Sequence, residues 1–216
     1  MLSPTRWHPI TESAYPWEQD ALDFVRERLP DQEPYHAWSN FEFIADQGSV
    51  NEVDLLVLAP GGFFLVEIKS RPGVLDGDAH TWIWRDQGRE TLTDNPQLLT
   101  NRKAKRLISL LRQQRAAGKV RLPFLEPLVF CSAPGSQMRL RRPAASGVRV
   151  RDKEHAGAKA APSLSIIATL TRPPSMDPGQ VRIDATGPAR SRAHSTRRAS
   201  AGRRGRDASA ITSSES

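Results

Sequence analysis

At 216 residues with 38% apolar side chains, the chain suits one ordinary domain with a core in about 130 residues plus an unstructured tail, and is too short for a large multidomain enzyme. The longest apolar stretch, 55–66, is broken by Pro60, Gly61 and Gly62; residues 1–10 carry no apolar signal core; and a single cysteine, Cys131, excludes a disulfide framework or cysteine-rich zinc site, so a reducing cytoplasm is the expected location, with no membrane partner. The net charge of +7 is uneven: residues 1–134 carry 15 Lys+Arg against 18 Asp+Glu and residues 135–216 carry 16 against 6, so the basic surplus belongs to the C-terminal part and does not by itself mark the globular part as a nucleic-acid binder.

No internal repeat is visible, and the elements follow a mixed α/β order. A first helix starts near Pro16, tolerated in a first turn, and aligns Glu18, Ala21, Leu22, Val25 and Leu29 at spacings of three and four. Strand patterns follow at Phe41–Ala45, Val53–Leu58, Phe63–Lys69 and Thr81–Arg85. Asp94 or Asn95 then caps a second helix with Pro96 in its first turn and Ala104, Leu107, Ile108 and Leu111 on its apolar stripe, and a last strand covers Leu128–Cys131. The compact domain is expected to end near residue 134, with a weakly structured extension over 135–184. From Ala185 on, Arg, Ala, Ser and Gly dominate and the only bulky apolar residue is Ile211, so a disordered tail is expected.

The chemistry concentrates on the two central strands. A four-residue turn, Ala59-Pro60-Gly61-Gly62, makes them a hairpin whose opposed residues sum to 121: Leu58 with Phe63, Leu56 with Leu65, Asp54 with Glu67, Glu52 with Lys69. Alternation places Val53, Leu55, Val57, Phe64, Val66 and Ile68 on the other face, so both faces are largely apolar, as in a strand pair covered on two sides. In this register the Asp54 and Glu67 carboxylates oppose each other at about 5 Å between Cβ atoms. Such a pair must share a proton, reach water or hold a cation. With the Ile68 carbonyl the two acids form an oxygen set suited to Mg²⁺ or Mn²⁺, and Lys69 on the same face is placed to position a water or offset phosphate charge. Glu-x-Lys alone is common on solvated strand ends, and Glu52 with Lys69 also reads as an ordinary cross-strand ion pair. Glu18 reads either as a further acid or as a carboxylate complementing the helix dipole.

At these residues the chain resembles a known family. Glu18 on a first helix, then Asp54, then Glu67-Ile68-Lys69 across a hairpin, is similar to the PD-(D/E)xK nuclease core. Trp38-Ser39-Asn40, Asn51-Glu52-Val53-Asp54-Leu55-Leu56-Val57, Phe64-Leu65-Val66-Glu67-Ile68-Lys69-Ser70 and Asn95-Pro96 before a Lys-containing helix resemble the nuclease-related domain, NERD. The resemblance implies a restriction-endonuclease-like α/β/α core with a mixed central sheet and divalent-metal hydrolysis of DNA phosphodiesters. It further implies metal held by Asp54 and Glu67, water assisted by Lys69, and Glu18 as accessory acid. It also implies a setting in bacterial phage defence of the BREX type, beside other defence proteins. Family members carry a glutamine a few residues after Asn-Pro; here Gln97 follows at once, which leaves the helix's contribution open. A noncatalytic module binding nucleic acid or protein is the competing expectation. A kinase is excluded, since no glycine-rich nucleotide loop, His-Arg-Asp or Asp-Phe-Gly occurs, and no organic cofactor is expected.

On the second helix Arg102, Lys103, Lys105 and Arg106 are candidate phosphate contacts, with a solvated polar face as the commoner explanation of such a run. Trp82 and Trp84 alternate onto one strand face and are expected in the core more often than stacked on bases. The five histidines have no ligand spacing. With 25 Arg and 6 Lys, the chain's Arg-rich tail has the composition that a shifted frame of GC-rich coding sequence would produce, so a truncated or frameshifted product is expected.

Overall fold

A computed structural model describes residues 1–114, 122–141, 144–151 and 164–173. The expected tail from 185, with much of 135–184, lies outside the described residues. A seven-stranded mixed sheet forms the centre: β1 (Trp7–Pro9), β2 (His36–Ile44), β3 (Val50–Ala59), β4 (Gly62–Lys69), β8 (Leu125–Cys131), β10 (Val148–Val150) and β11 (Leu164–Ser165), adjacent in that order. The pairs β2–β3 and β3–β4 are antiparallel and the other four are parallel. Between β4 and β8 the chain builds β5 (Val74–Gly77), β6 (Thr81–Asp86) and β7 (Arg89–Asp94), which with β9 (Gln137–Met138) make a second, four-stranded sheet.

Helices cover both faces, giving the expected α/β/α layering. On one face α1 (Pro16–Arg28) and α3 (Ile166–Leu170) bury Ala21, Leu22, Phe24, Val25, Ile166 and Leu170 against Leu55, Val57, Phe64, Val66, Ile68 and Phe130. On the other, α2 (Pro96–Gln113) lays Ala104 and Leu107 over Phe43, Val53, Leu56 and Leu65. The small sheet closes the rest of that face, packing Leu75, Trp82, Trp84 and Met138 against Val129, Cys131, Val148 and Val150. Trp82 and Trp84 are therefore core residues, as their spacing favours. Cys131 is buried, and burial pushes its thiol up to about 12, so it is an inert packing group.

Both helix starts form as the sequence dictates. Pro16 stands in the first turn of α1, and the Asn95 side chain caps α2 by accepting the Gln97 N–H at 2.9 Å while donating to the Ala79 carbonyl at 3.0 Å. Asn95 is 3% exposed, so Asn95→Ala is expected to cost about 1–2 kcal/mol, read as a lower urea midpoint at unchanged slope.

The fold continues past residue 134, where composition places the end of the compact domain. The strands β10 and β11 extend the central sheet, and two arginines of the basic half tie them in. Arg149 is 8% exposed, donates to the Thr169 hydroxyl at 2.7 Å and the Val148 carbonyl at 3.0 Å, and meets Glu126 at 3.5 Å. Arg151 donates to the Ser132 carbonyl at 3.0 Å, pairs with Asp20 on α1 and lies 4.4 Å from the Phe24 ring centre. Part of the positive charge is thus structural.

Candidate active site

The predicted register holds where the hairpin is regular. Leu55 to Ala59 pair with Val66 to Gly62 on the sum of 121, the turn being Pro60-Gly61 with Ala59 opposite Gly62. It fails where the acids begin. The β3–β4 ladder ends at Leu55–Val66, so neither Asp54–Glu67 nor Glu52–Lys69 is a strand pair. Below that point β3 stays with β2, Glu52 opposing Glu42, while β4 stays with β8, Lys69 opposing Cys131.

The separation has a local cause. In β2, Trp38 and Phe41 pack on the same face, and in β3 so do Leu56 and Val53, so alternation slips by one residue in both strands. The slip falls at Asn40 and Asp54, which lie opposite in this register and are missing from the ladder. Asn40 has φ 53°, the left-handed conformation that asparagine tolerates better than most residues. Val53 therefore leaves the face assigned to it by simple alternation and joins the α2 side.

Asp54 occupies the gap so created. Its Oδ2 accepts the Ile68 backbone N–H at 2.6 Å, standing in for the lost ladder bond. In an extended strand the N–H and C=O of one residue point the same way, so the Ile68 carbonyl also faces this gap. Glu67 is 14% exposed and takes Lys69 Nζ at 2.8 Å on Oε1 and Lys103 Nζ at 2.7 Å on Oε2. Burial first, and the Glu67 carboxylate second, push Asp54 up to about 7, against the pull of the Ile68 N–H and both lysines. Burial acts upward on Glu67 too, but the Lys69 and Lys103 charges outweigh it and hold Glu67 below its ordinary value. Burial works to lower Lys69 and the Glu67 charge overrides it, so its ammonium is held above the usual value.

Lys103 thus leaves the proposed phosphate-contacting row: one helical face of α2 turns it inward to Glu67. Of the others, Arg102 and Lys105 are exposed and Arg106 donates to Asn51 Oδ1 at 2.9 Å, so these three remain on the outer surface of α2. Nothing but its place in a run of basic residues distinguished Lys103. Gln97 does not enter the site either; its amide donates to the Pro127 carbonyl at 3.1 Å and lies against Gly147, where a Cβ would meet Nε2 at 2.2 Å. Lys103→Met is expected to cost about 1–3 kcal/mol by leaving Glu67 half-partnered in a buried place, whereas Lys105→Ala should stay within about 0.5 kcal/mol; paired urea melts read the contrast.

Glu18 lies near enough for its charge to help hold the Lys69 ammonium up. It comes from α1, on the opposite face of the sheet from Lys103, and its Oε1 takes the Asn40 amide at 3.0 Å in the amide orientation that also lets Asn40 accept the Ser13 N–H at 3.0 Å. Among the described residues no three His, Cys, Asp or Glu side chains converge as a metal-binding group. Two clefts meet at Glu18. One, of about 510 Å³, runs past Asn40 and Glu52 to Asp54; the other, of about 610 Å³, is lined by Tyr15, Trp17, Glu67, Ile68, Lys69, Trp82 and Leu99.

The donor set suits a hard cation in kind: two carboxylates and a carbonyl around a gap, with Asp54 carrying a pKa that a bound divalent ion would lower. Each Glu67 oxygen carries one ammonium and keeps a further lone pair to offer such an ion.

Residues 13–132, more than half of the chain and spanning all of these groups, match the nuclease-related domain (NERD). The chain belongs to the NERD family. A Streptomyces coelicolor protein described as probable kinase PglW is 46% identical to this NERD chain over 112 residues, which are 51% of the chain and 7% of that protein. No solved structure matches. Among the described residues of the NERD chain no helix is long and apolar enough to cross a membrane.

Proposed function

We propose that this NERD chain hydrolyses phosphodiester bonds of DNA with Mg²⁺, or Mn²⁺ in its place, in the cytoplasm of a bacterium defending itself against phage, beside other proteins of a BREX-type system. The observation that carries the reading is the parting of β3 from β4, which leaves Asp54, Glu67 and the Ile68 carbonyl around one gap beside Lys69. These three residues would hold the ion, which supplies Lewis-acid polarisation of the phosphate and neutralises its charge. Lys69 orients a water for in-line attack and offsets the charge that grows on phosphorus oxygens. Lys103 keeps the Glu67 carboxylate aimed at the gap. Glu18, at the junction of the two clefts, acts as an accessory acid, and Arg102, Lys105 and Arg106 meet the phosphate backbone outside the site.

The full chain with Mg²⁺ or Mn²⁺ is expected to nick supercoiled plasmid, with activity lost in EDTA. Lys69→Ala should lower the rate on the order of 10²-fold or more and, since it too leaves Glu67 half-partnered, lower the urea midpoint as well, by less than Lys103→Met because Lys69 is 39% exposed. Plasmid left intact under either metal argues for a second reading, a noncatalytic module that binds nucleic acid or protein. One observation favours that module: both oxygens of Glu67 already have ammonium partners, so the cluster is neutralised without any metal. Kinase activity is not proposed, since the motifs for it are absent from the sequence.

A further inference from the structure

The larger cleft carries groups that hydrolysis at Asp54, Glu67 and Lys69 does not require. Tyr15 and Trp17, at the start of α1, stack with ring centres 4.9 Å apart and planes 15° apart, yet are 52% and 55% exposed. The Trp17 carbonyl accepts the Ser70 hydroxyl at 3.1 Å, which fixes the aromatic pair beside the residue that follows Lys69. Trp82 lines the same cleft, fully buried, and among the described residues its indole N–H has no hydrogen-bond partner. Thr93, paired with Trp82 across β6–β7 and lining the same cleft, has a hydroxyl that is equally unpartnered among the described residues. Buried polar atoms left unpaired cost about 1–3 kcal/mol each, a cost that an occupant with acceptor and donor edges removes.

Charge narrows the choice of occupant. Glu18, Glu67 and Asp94 outnumber Lys69 and Arg71 in this lining, and the neighbouring cleft holds Glu12, Glu18, Glu42, Glu52 and Asp54 with no lysine or arginine. Neither is a cationic groove of the kind that tracks a phosphate backbone, single or double, so this lining favours a base over the backbone that carries it. Exposed stacked rings, an apolar floor and unsatisfied edge groups fit instead a base turned out of any helix. The volume of about 610 Å³ lies in the range of single-ligand pockets.

We propose that this cleft takes an unpaired nucleotide of single-stranded DNA, its base against the Tyr15–Trp17 pair and its polar edge at the Trp82 N–H and Thr93 hydroxyl. The adjoining phosphodiester then lies at Lys69 and Glu67, a clause that rests on the nuclease reading; the binding itself does not. The test is fluorescence anisotropy of the full chain in EDTA with labelled oligothymidine, alone or annealed to oligoadenine. The single strand should bind at least tenfold more tightly than the duplex. Tyr15→Ala and Trp17→Ala should each weaken it about 5- to 100-fold, with Trp17→Phe restoring most of the loss and all variants melting like the parent. Equal or tighter binding of the duplex, no binding of either, or alanine variants that bind like the parent would overturn the proposal. Because no divalent ion is present, single-strand preference without plasmid cleavage would remove the nuclease reading and leave this one standing.

Discussion

Asp54→Asn is expected to raise stability above neutral pH and to abolish divalent-ion binding at the same time. The sign follows from the protons. Asp54 titrates near 3.8 when exposed and about 7 when folded, so between those values the folded state holds a proton that the unfolded state has lost. The contribution of Asp54 is then greatest below about pH 4, falls as pH rises through the interval, and levels off above about 7. The interval corresponds to about 2–4 kcal/mol from Asp54, and Glu67, held below its ordinary value, works the other way because its contribution is lost as pH falls. Asparagine keeps an oxygen for the Ile68 N–H and removes both the buried charge and its repulsion with Glu67. Urea melts at pH 5 and pH 8 should show the parent losing stability at the higher pH and the variant nearly flat. A parent as stable at pH 8 as at pH 5 would mean that the Asp54 carboxylate is solvated and the gap is no trap for charge.

Glu67→Ala is expected to be the more damaging change. It strips the shared counter-ion from two ammonium groups, Lys69 at 39% exposure and Lys103 at 20%. Breaking a fully buried pair costs about 3–5 kcal/mol, and the partial exposure of Lys69 places this case nearer about 3. The same change deletes a metal-ligand carboxylate, so cleavage should fall at least on the order of 10³-fold. Glu67→Gln separates the two effects. It retains an acceptor for one lysine and about the same volume, so it should recover part of the stability and none of the cleavage. Recovery of nicking in Glu67→Gln would contradict a role for that carboxylate in holding a cation.

The elements that rely on local signals were legible in the sequence. Pro16, Asn95 and Pro96 start their helices by chemistry confined to a few residues, and the Pro60-Gly61 reversal sets the register of Leu55 to Ala59 by counting alone. That Asp54, Glu67 and Lys69 come together was legible for the same reason. Their geometry was not. Counting assumes that alternation continues, whereas a left-handed Asn40 in the neighbouring strand lets it slip at Asp54 and replaces a strand pair by a side-chain bond. The second shortfall is long-range. Short strands such as Val74–Gly77 and Val148–Val150 carry too few residues for a period to show, and they exist because sheet neighbours supply their hydrogen bonds. Lys103 was visible as a charge, but which face of α2 meets Glu67 depends on how the helix lies over the sheet. Tyr15 and Trp17 escaped notice because their stacking depends on the turn of chain before α1, for which no apolar pattern exists.

Isothermal titration of the full chain with Mn²⁺ near pH 6, in two buffers of different ionisation enthalpy, tests most directly whether the parted strands form a cation site. One site per chain is predicted, with heats that differ between the buffers because the ion expels the proton held by Asp54, and with no such site in Asp54→Asn. Heats identical in the two buffers, or binding that survives Asp54→Asn unchanged, would contradict a metal centre built on Asp54 and Glu67.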